Sequence, residues 1–327
     1  MVPQQCHAGK WLVFWITGAD PTAAQVAEAE CLAAQFGDCD ACLIHIAATA
    51  DVGHVEPPTL DALVQYFDPE GEFPRALGLD GPGTILIDRS HRLHSVTPGG
   101  TIEDALETCR AGHARSPAGE LCTQAPVLLV ANVLETDLCR ALIAYWKQGS
   151  KMENAVARQA GGNQVPVSQI KRRSDVVVQE LALFQSVKQR IERRVLTEVI
   201  KAFQFETARM EALRVGCYDA AAHGAFGRHR DNMTPYTAHR KFAMSLNLNS
   251  GDYEGGAIAF PEYGRQIYRP AAGEAIVFSC SLVHEAQPVR KGRRFGLFTF
   301  FTDRTGAAQE DGMLAMRKGE IVPYTVA

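Results

Sequence analysis

Three side chains in the last third of the sequence have the types and spacing of a metal site: His229, Asp231 and His284, here called the triad. His229 and Asp231 stand two residues apart in "GRHRDN", and residues i and i+2 of an extended strand face the same side. His284 follows "EAIVFSC", an apolar run typical of a buried strand. Two histidines and one carboxylate form the facial triad of iron(II) oxygenases, which leaves coordination positions open. Zinc accepts the same ligand types, so residue type alone leaves both metals open.

The sequence around the triad resembles a known enzyme family. The runs "HRDN", "LNLN", "YEGGAIAF" and "PAAGEAIVFSCSLVHEAQPV-RKGRRFGLFTFF" are similar to the prolyl 4-hydroxylase group of 2-oxoglutarate dioxygenases. The likeness covers about residues 125–303, and it includes "APVLLVANVLETDLCRALI", which resembles the opening strand and helix of the group. The resemblance implies a double-stranded β-helix (jelly roll) that carries the metal site.

Further site residues follow from this resemblance. The stretch "HE-x-x-PV-x-x-G-x-R" runs from His284 to Arg294, whose guanidinium can bind the distal carboxylate of 2-oxoglutarate through two charge-assisted hydrogen bonds. Arg293 is expected to point from the opposite strand face to solvent. Tyr218, in "VGCYD", matches a tyrosine that helps hold the cosubstrate in relatives. Asn247 stands where relatives often keep another tyrosine facing 2-oxoglutarate, which makes it a third cosubstrate-binding candidate.

The resemblance implies a hydroxylation that uses Fe(2+), 2-oxoglutarate and O2, with ascorbate as reductant. In such a reaction 2-oxoglutarate is converted to succinate and CO2 while a substrate C–H bond gains a hydroxyl group. Because Asp231 occupies the third ligand position, hydroxylation is favoured over halogenation. Relatives act on prolyl residues, on other side chains or on free small molecules. No residue in the sequence selects between a polypeptide and a small-molecule substrate.

Some basic and histidine residues have simpler interpretations. A single histidine beside a strand is more often structural, and His223 and His239 are interpreted as loop residues, although either could replace His284 as a ligand. Neither follows a buried strand or precedes an arginine at the right distance. The runs "KRR" at 171–173 and "RIERR" at 190–194 are interpreted as solvated faces. The functional alternative is that they guide an acidic substrate or dock an acidic domain.

The elements that must position the triad are strands. From residue 207 onward, seven or eight strand-like runs alternate with turns that contain Gly, Asn and Pro. Before them, "VLETDLCRALIAYWKQ" and "VVVQELALFQSVKQRIERRVLTEVIKAFQ" contain amphipathic helices. The pattern predicts a sandwich or barrel with helices packed on one face, over residues 119–327.

The first part of the chain, residues 1–118, predicts a different domain. The runs "WLVFWI" and "CLIHIAA" have the length and apolar character of strands buried on both faces. Between them a helix is predicted with Asp20 as N-cap and Pro21 at its first position. "PPTLDALVQYF" predicts a second helix, "GTILIDRSHRLHSV" a strand pair, and "TIEDALETCRAG" a helix capped by Thr101. These elements predict an α/β sandwich.

This order resembles the thioredoxin-like fold over about residues 8–112. "GKWLVFWITGADPT" and "GPGTILIDRSHRL" are more similar to its peroxiredoxin branch, and Pro82 stands where that fold keeps a cis-proline. At the position of the family's reactive cysteine, the chain reads "ADPTAAQV". The C-x-x-C pair Cys39 and Cys42 lies at the entry to a strand, without the helix N-terminus that activates a thiolate. The domain is therefore expected to be redox-inactive.

Composition places the protein in the soluble, globular class. Of 327 residues, 46% are hydrophobic and 21% are charged, and no run of eighteen apolar residues exists, so a membrane partner is not expected. Nine scattered cysteines and the absence of a secretory signal pattern predict reduced thiols and a cytoplasmic location. Residues 1–118 contain 6 Lys+Arg and 16 Asp+Glu, against 27 and 21 in the remainder. These opposite net charges support two domains, and the small positive surplus does not indicate nucleic-acid binding.

Two rival functions stay open at this stage. A thiol-dependent peroxidase would need an activated cysteine in the first domain. A non-catalytic binding module would need only a jelly roll that binds a metal or a ligand. Consumption of 2-oxoglutarate separates both from a dioxygenase. The oligomeric state cannot be deduced from these patterns.

Overall fold

A computed structural model of the chain describes residues 9–17, 21–47, 63–115, 120, 123–153, 171–316 and 324–325. The chain divides into two compact units, Met1–Glu120 and Leu121–Ala327, here called unit 1 and unit 2. The described residues do not include Cys6, Cys122 or Asp20, the predicted N-cap of the first helix. Within those ranges, none of the helices has both the length and the apolar character needed to cross a bilayer.

Unit 1 is built around one mixed sheet of five strands. Its elements are β1 (Trp11–Ile16), α1 (Ala23–Gly37), β2 (Ala41–Ala47), β3 (Val64–Phe67), α2 (Glu72–Ala76), β4 (Gly83–Ile87), β5 (Leu93–Pro98) and α3 (Ile102–Ala114). The strand order is β3-β2-β1-β4-β5, with β1, β2 and β3 parallel and β4 antiparallel to both of its neighbours. Helices α1 and α3 pack on one face of the sheet, and Phe73 of α2 packs on the other. Burial on both faces explains the unbroken apolar runs of β1 and β2.

Two predicted helices of unit 1 differ from the structure. Helix α1 begins at Ala23 rather than Pro21, because Thr22 is its N-cap and forms a capping box with Gln25. Within "PPTLDALVQYF", residues 57–62 are outside the described part, and Val64–Phe67 form strand β3 instead of a helix. Parallel pairing with β2 outweighs the helical spacing of this short segment. The described residues contain no cis peptide bond, so Pro82 follows a trans bond.

Helical segments and short strands alternate in the first part of unit 2, and strands dominate the rest of it. Its elements are β6 (Val127–Val130), α4 (Thr136–Gln148), β7 (Met152–Glu153), β8 (Lys171–Arg172), β9 (Ser174–Val177), α5 (Leu181–Ile191), a π-helical turn (Glu192–Leu196), α6 (Thr197–Phe203), β10 (Arg209–Met210), β11 (Arg214–Asp219), β12 (Ala225–His229), β13 (Phe242–Asn247), β14 (Glu254–Gly255), β15 (Ile258–Ala259), β16 (Ile267–Tyr268), β17 (Ala275–Ser279), β18 (His284–Ala286), β19 (Val289–Lys291), β20 (Arg293–Thr302), α7 (Arg304–Met316) and β21 (Tyr324–Thr325).

Two sheets of unit 2 face each other across an apolar layer. The major sheet has the order β6-β17-β13-β20-β11-β9-β7, with β10 paired to β20 and β21 paired to β10. The minor sheet has the order β16-β15-β18-β12-β8. Helices α4, α5 and α6 cover the outer face of the major sheet. On its inner face, Phe278 packs with Ile258 and Phe260 of the minor-sheet side. Two antiparallel sheets with helices on one face fit the architecture expected for residues 119–327.

Candidate metal centre

His229 and His284 come from neighbouring strands of the minor sheet. His229 ends β12, His284 begins β18, and the two residues are cross-strand partners. Between Phe226 and His229, β12 advances three residues while β18 advances two, from Ala286 to His284, which is the geometry of a β-bulge. Phe226 and His229 therefore both line one cavity. In a regular strand, residues three positions apart would face opposite sides.

Asp231 lies in a turn beyond β12, and not two residues further along an extended strand as the spacing predicted. Its backbone N–H donates to the carbonyl of Cys280, at 3.0 Å, just after β17 of the major sheet. Arg240 Nη1 approaches the Asp231 carbonyl at 3.5 Å. Backbone contacts in the turn, rather than strand alternation, bring this carboxylate to the two imidazoles.

The donor atoms of the triad converge on one point. Asp231 Oδ1 lies 3.4 Å from His229 Nε2, and Asp231 Oδ2 lies 3.4 Å from His284 Nε2. Candidate ligand atoms of all three residues lie within 4.8 Å of one another. Donor atoms about 2.1 Å from a common ion, at octahedral to tetrahedral angles, are about 3.0–3.4 Å apart. The spacing therefore fits a divalent ion such as iron(II) or zinc.

Backbone carbonyls set the tautomer of both histidines. His229 Nδ1 lies 2.7 Å from the Gly227 carbonyl, and His284 Nδ1 lies 3.1 Å from the Leu282 carbonyl. Since a carbonyl oxygen only accepts hydrogen bonds, each Nδ1 must carry the hydrogen. The Nε2 lone pairs are then free to bind a metal, and the ring orientations are fixed.

The charge states of the triad also suit a metal. Burial lowers the pKa of His284, which favours the neutral imidazole that a metal requires. Burial raises the pKa of Asp231, but its contacts with His229, His284 and Arg240 outweigh burial and lower it, so the carboxylate is ionised. Two neutral imidazoles and one carboxylate are the ligand forms that bind a divalent ion.

The triad opens onto a cavity of about 70 Å³ between the two sheets. A buried water needs about 10–15 Å³ by this measure, so the space holds several waters. Four phenylalanine rings from both sheets line it, namely those of Phe226, Phe278, Phe298 and Phe300. The charged side chains on its wall, besides the triad, are Arg173 and Arg294.

Arg294 is a buried guanidinium with one donor group left over. The residue is 1% exposed and lines the cavity. Its Nε and Nη2 donate to Asn247 Oδ1 at 3.2 and 3.0 Å, and Nη2 also donates to Ser245 Oγ at 3.2 Å. Nη1 is buried and has no hydrogen-bond partner among the described residues. An unpaired buried donor is costly, so the site suits a carboxylate that accepts from Nη1.

Arg293 and Asn247, two neighbours of Arg294, do not line the cavity. Arg293 points outward, with 58% of its side chain exposed, and pairs with Asp219 at 2.6 Å. Asn247 is buried but is not on the cavity wall. Its oxygen accepts from Arg294 and its Nδ2 donates to the Pro270 carbonyl at 2.8 Å. The structure therefore places Asn247 behind Arg294 as a positioning residue, rather than in contact with a bound cosubstrate as the sequence suggested.

Tyr218 and Arg173 form a second polar wall of the cavity. The Tyr218 hydroxyl accepts a hydrogen bond from Arg173 Nη1 at 3.2 Å. Arg173 also donates from Nε and Nη2 to the two carboxylate oxygens of Asp175, at 2.6 and 2.9 Å. Its guanidinium stacks on the Phe298 ring at 4.0 Å. The Arg173 side chain reaches the cavity from the loop between β8 and β9.

The interpretation of "KRR" as a solvated face is wrong for two of its three residues. Arg172 is exposed, whereas Lys171 is buried and donates to Asp175 Oδ2 at 2.9 Å. Burial and the charge of Arg173 lower the pKa of Lys171 to about 8. Sequence reasoning missed Arg173 as a cavity residue. The one available signal was the acidic Asp175 two residues after Arg173, a spacing that would put both side chains on one face of an extended segment.

The other histidines do not join the triad. His223 is exposed, with φ of 52°, and ends a short turn. His239 is buried, and its Nε2 lies 3.3 Å from Glu211 and 3.7 Å from Glu310. Glu211 already binds the Arg240 guanidinium through both oxygens, at 2.5 and 2.8 Å. This second group of possible metal ligands is therefore an ion-pair network that holds Arg240 beside Asp231.

Three described thiols of unit 1, those of Cys39, Cys42 and Cys109, are buried in apolar surroundings, whereas the thiol of Cys31 is exposed. Cys39 and Cys42 are buried in separate core clusters on opposite faces of the sheet. Burial raises the pKa of Cys42, and it raises the pKa of Cys109, in the cluster of Cys39, to about 12. A raised thiol pKa leaves little thiolate at neutral pH, which disfavours thiol chemistry.

Comparison with known proteins gives hydroxylases as relatives, and no family model matches the chain. A PKHD-type hydroxylase of Saccharophagus degradans is 30% identical over 106 residues, which are 30% of this chain and 46% of that protein. Another, from Verminephrobacter eiseniae, is 25% identical over 205 residues, or 58% of this chain and 83% of that protein. The chain thus spans about half the length of the first relative.

Two solved structures of prolyl hydroxylases are similar to part of this chain. A Pseudomonas putida prolyl-4-hydroxylase is 20% identical, with a TM-score of 0.43, and the match covers 55% of this chain and 94% of that one. A Trichoplax adhaerens prolyl hydroxylase, in complex with a peptide fragment of a hypoxia inducible factor oxygen degradation domain, is 16% identical. Its TM-score is 0.43, with coverage of 57% and 87%. Over part of its length, the chain is therefore similar to proteins named PKHD-type hydroxylases.

Proposed function

We propose that unit 2 is an iron(II)- and 2-oxoglutarate-dependent dioxygenase that hydroxylates a C–H bond. The observation that carries this proposal is one cavity that combines three metal-binding donor atoms with the unpaired N–H of a buried guanidinium. The names of the sequence relatives agree with a hydroxylase. The same proposal gives residues 119–327 a jelly-roll fold.

The triad would hold the metal, and Arg294 would hold the cosubstrate. His229, Asp231 and His284 would occupy one side of the ion and leave positions open for 2-oxoglutarate and O2. Bound iron(II) would supply the oxidation, in which 2-oxoglutarate, O2 and a substrate C–H bond give succinate, CO2 and a hydroxyl group. Ascorbate would serve as reductant. Arg294 Nη1 donates to the distal carboxylate, while Asn247 and Ser245 keep the guanidinium plane in place.

Tyr218 has a hydrogen to donate inside the cavity. Its hydroxyl oxygen already accepts from Arg173, so the O–H hydrogen is free to turn toward an acceptor in the cavity. A cosubstrate oxygen nearer the metal is the expected acceptor. The phenylalanine rings around this space shield it from bulk solvent, and hydrogen bonds formed there are stronger than in water.

The experiment is the turnover of labelled 2-oxoglutarate by the purified full chain with iron(II) and ascorbate. Succinate that forms only with iron(II) and 2-oxoglutarate present is the expected result. Metal binding without any 2-oxoglutarate binding or consumption would instead indicate a non-catalytic metal module. A search of cell lysate by mass spectrometry for enzyme-dependent +16 shifts then separates polypeptide substrates from small molecules.

For residues 1–118 we propose a thioredoxin-like domain that is redox-inactive and serves to dock a partner or present the substrate. Support comes from the strand order, the buried thiols and the ten-charge acidic surplus of this segment. Residues 119–327 alone should retain 2-oxoglutarate turnover and lose activity toward the true substrate. Equal activity of both forms on that substrate would contradict a presenting role.

A further inference from the structure

Arg173 is a cavity residue that the proposed reaction leaves without a task. Its side chain is only 10% exposed, and it shares the cavity with the triad and Arg294. Nε and Nη2 donate to the two carboxylate oxygens of Asp175, at 2.6 and 2.9 Å. The guanidinium also lies 4.0 Å from the centre of the Phe298 ring. These contacts fix the plane of the guanidinium, so the direction of its third nitrogen, Nη1, is fixed as well.

Strand β11 leaves room for the Arg173–Asp175 ion pair at Gly216, which is the cross-strand partner of Asp175. A Cβ atom at position 216 would lie 2.6 Å from Asp175 Oδ1 and 2.8 Å from Arg173 Cδ. Both distances are shorter than ordinary van der Waals contacts, so a side chain at this position would displace the pair. Tyr218 stands two residues further along β11, and its side chain therefore lies on the same face as position 216.

The hydrogen bond between Arg173 and Tyr218 has only one possible direction. Arg173 Nη1 lies 3.2 Å from the Tyr218 hydroxyl oxygen. Because a guanidinium only donates, the phenol oxygen must accept, and the phenol hydrogen must point away from Arg173. Among the described residues, Arg173 is the only hydrogen-bond partner of this hydroxyl. Tyr218 is 2% exposed and lines the cavity, so its unused hydrogen suits an acceptor that enters the cavity.

Tyr218 lies next to Arg294, the proposed anchor of the cosubstrate. Tyr218 of β11 and Arg294 of β20 are cross-strand partners, and side chains in such pairs are neighbours. The guanidinium carbon of Arg294 lies 5.3 Å from the centre of the Tyr218 ring. A cosubstrate bound between Arg294 and the triad would therefore lie beside Tyr218.

We propose that Arg173 is a positioning residue of the cosubstrate site, which acts on 2-oxoglutarate only through the Tyr218 hydroxyl. Asp175 and Phe298 hold the guanidinium, Nη1 holds the phenol oxygen, and the phenol hydrogen donates to an oxygen of the cosubstrate. The cationic donor also polarises the phenol, which makes its O–H a stronger donor. This inference rests on the proposed dioxygenase function and adds the residue that sets the direction of one of its hydrogen bonds.

The test is a double-mutant cycle on the binding of 2-oxoglutarate, measured by calorimetry on the full chain with manganese(II) in place of iron(II). Tyr218→Phe removes the donor and should raise the Kd about 10- to 100-fold, as expected for a hydrogen bond to a charged group. Arg173→Met keeps the donor but not its direction, and should raise the Kd about 3- to 10-fold. The combined variant should bind as Tyr218→Phe alone does, because Arg173 has no other route to the cosubstrate.

A second variant tests the same contact without removal of a charge. Gly216→Ala displaces the ion pair and should also raise the Kd about 3- to 10-fold, with no further loss in the Tyr218→Phe background. Arg173→Lys keeps the charge and one donor, so it should recover part of the affinity that Arg173→Met loses. Exposed Arg172 is the matched control, and Arg172→Met should keep the wild-type Kd. Thermal unfolding without ligand identifies the variants that fold.

The outcomes separate this inference from the proposed function. An ion pair with a purely structural role would lower the unfolding temperature and leave the Kd unchanged, which overturns the inference. A loss from Arg173→Met that is equally large with and without the Tyr218 hydroxyl overturns it too, because Arg173 would then act on the cosubstrate by another route. Both results leave the dioxygenase function standing when the wild type consumes 2-oxoglutarate. A wild type that neither binds nor consumes 2-oxoglutarate overturns the proposed function and this inference together.

Discussion

Replacement of Arg294 by Met is the sharpest test of the cosubstrate site. Methionine keeps an unbranched apolar side chain of useful length in the buried position but removes all donors. In the wild type, Nη1 is buried and lacks a partner among the described residues, so a carboxylate that enters gains a hydrogen bond to a desolvated charge. Loss of one partner of such a pair costs about 2–5 kcal/mol, which corresponds to about 30- to 5,000-fold weaker binding.

The effect can be measured by thermal unfolding with manganese(II) in place of iron(II). At a 2-oxoglutarate concentration of about 100 times the wild-type Kd, binding stabilises the folded state by about 2.7 kcal/mol. A Kd that is about 30-fold higher reduces this gain to about 0.9 kcal/mol. For a unit of about 200 residues each kcal/mol shifts Tm by about 2–4 °C, so the ligand-induced shift should fall from about 5–11 °C to about 2–4 °C.

Arg293 provides the matched control for this measurement. Its side chain is exposed and pairs with Asp219, so Arg293→Met should keep the full ligand-induced shift. Asn247→Ala, which removes the acceptor that holds Arg294, should give an intermediate shift. A full shift in Arg294→Met, or a larger loss in Arg293→Met, would refute the assignment of the cosubstrate carboxylate to Arg294.

Three further predictions concern metal, pH and thiols. Alanine at any triad position should abolish both 2-oxoglutarate turnover and metal binding, the latter measured by equilibrium dialysis. The control His223→Asn should still bind one ion per chain. A triad variant that remained active would exclude the replaced residue as a ligand. Lys171 has a folded-state pKa of about 8 against 10.5, so the unfolded state binds more protons between these pH values and stability should rise with pH there. Urea denaturation of the wild type should show that the free energy of unfolding rises by about 3 kcal/mol between these pH values. The Lys171→Met variant should lack this rise. Unit 1 should reduce peroxide no faster than free thiol does, and rapid peroxide consumption lost in Cys39→Ser or Cys42→Ser would contradict its inactivity.

Much of the candidate site could be predicted because its residues follow local patterns. The H-x-D pair and the histidine after a buried run are visible in the sequence, and the structure brings them to one point. The inward orientation of Arg294 could be predicted from strand alternation, because Arg293 and Arg294 lie on opposite faces of β20. The bulge in β12 and the turn that carries Asp231 depend on contacts with β18 and Cys280, which local spacing does not encode.

Other features were hidden because long-range contacts outweigh local character. The sequence suggests that Lys171 and Arg173 are surface residues. In the structure Lys171 donates to Asp175 and Arg173 donates to Tyr218, and both side chains are largely buried. The strand at Val64–Phe67 forms because it pairs with β2. The two strands are too far apart in the sequence for a short window of residues to reveal this pairing.

The bulge in β12 gives the proposed metal ligand His229 an orientation that depends on the number of residues in this strand. Without Arg228, Phe226 and His229 would be two positions apart, and an unbroken ladder would still pair His229 with His284. A bulge leaves backbone groups outside the ladder, and the Gly227 carbonyl at this bulge accepts from His229 Nδ1. Since this acceptor is a main-chain atom, side-chain substitutions at 227 and 228 leave it in place, whereas deletion of Arg228 displaces it. The deletion variant should fold and still bind the ion, with an affinity about 10- to 100-fold lower by metal titration.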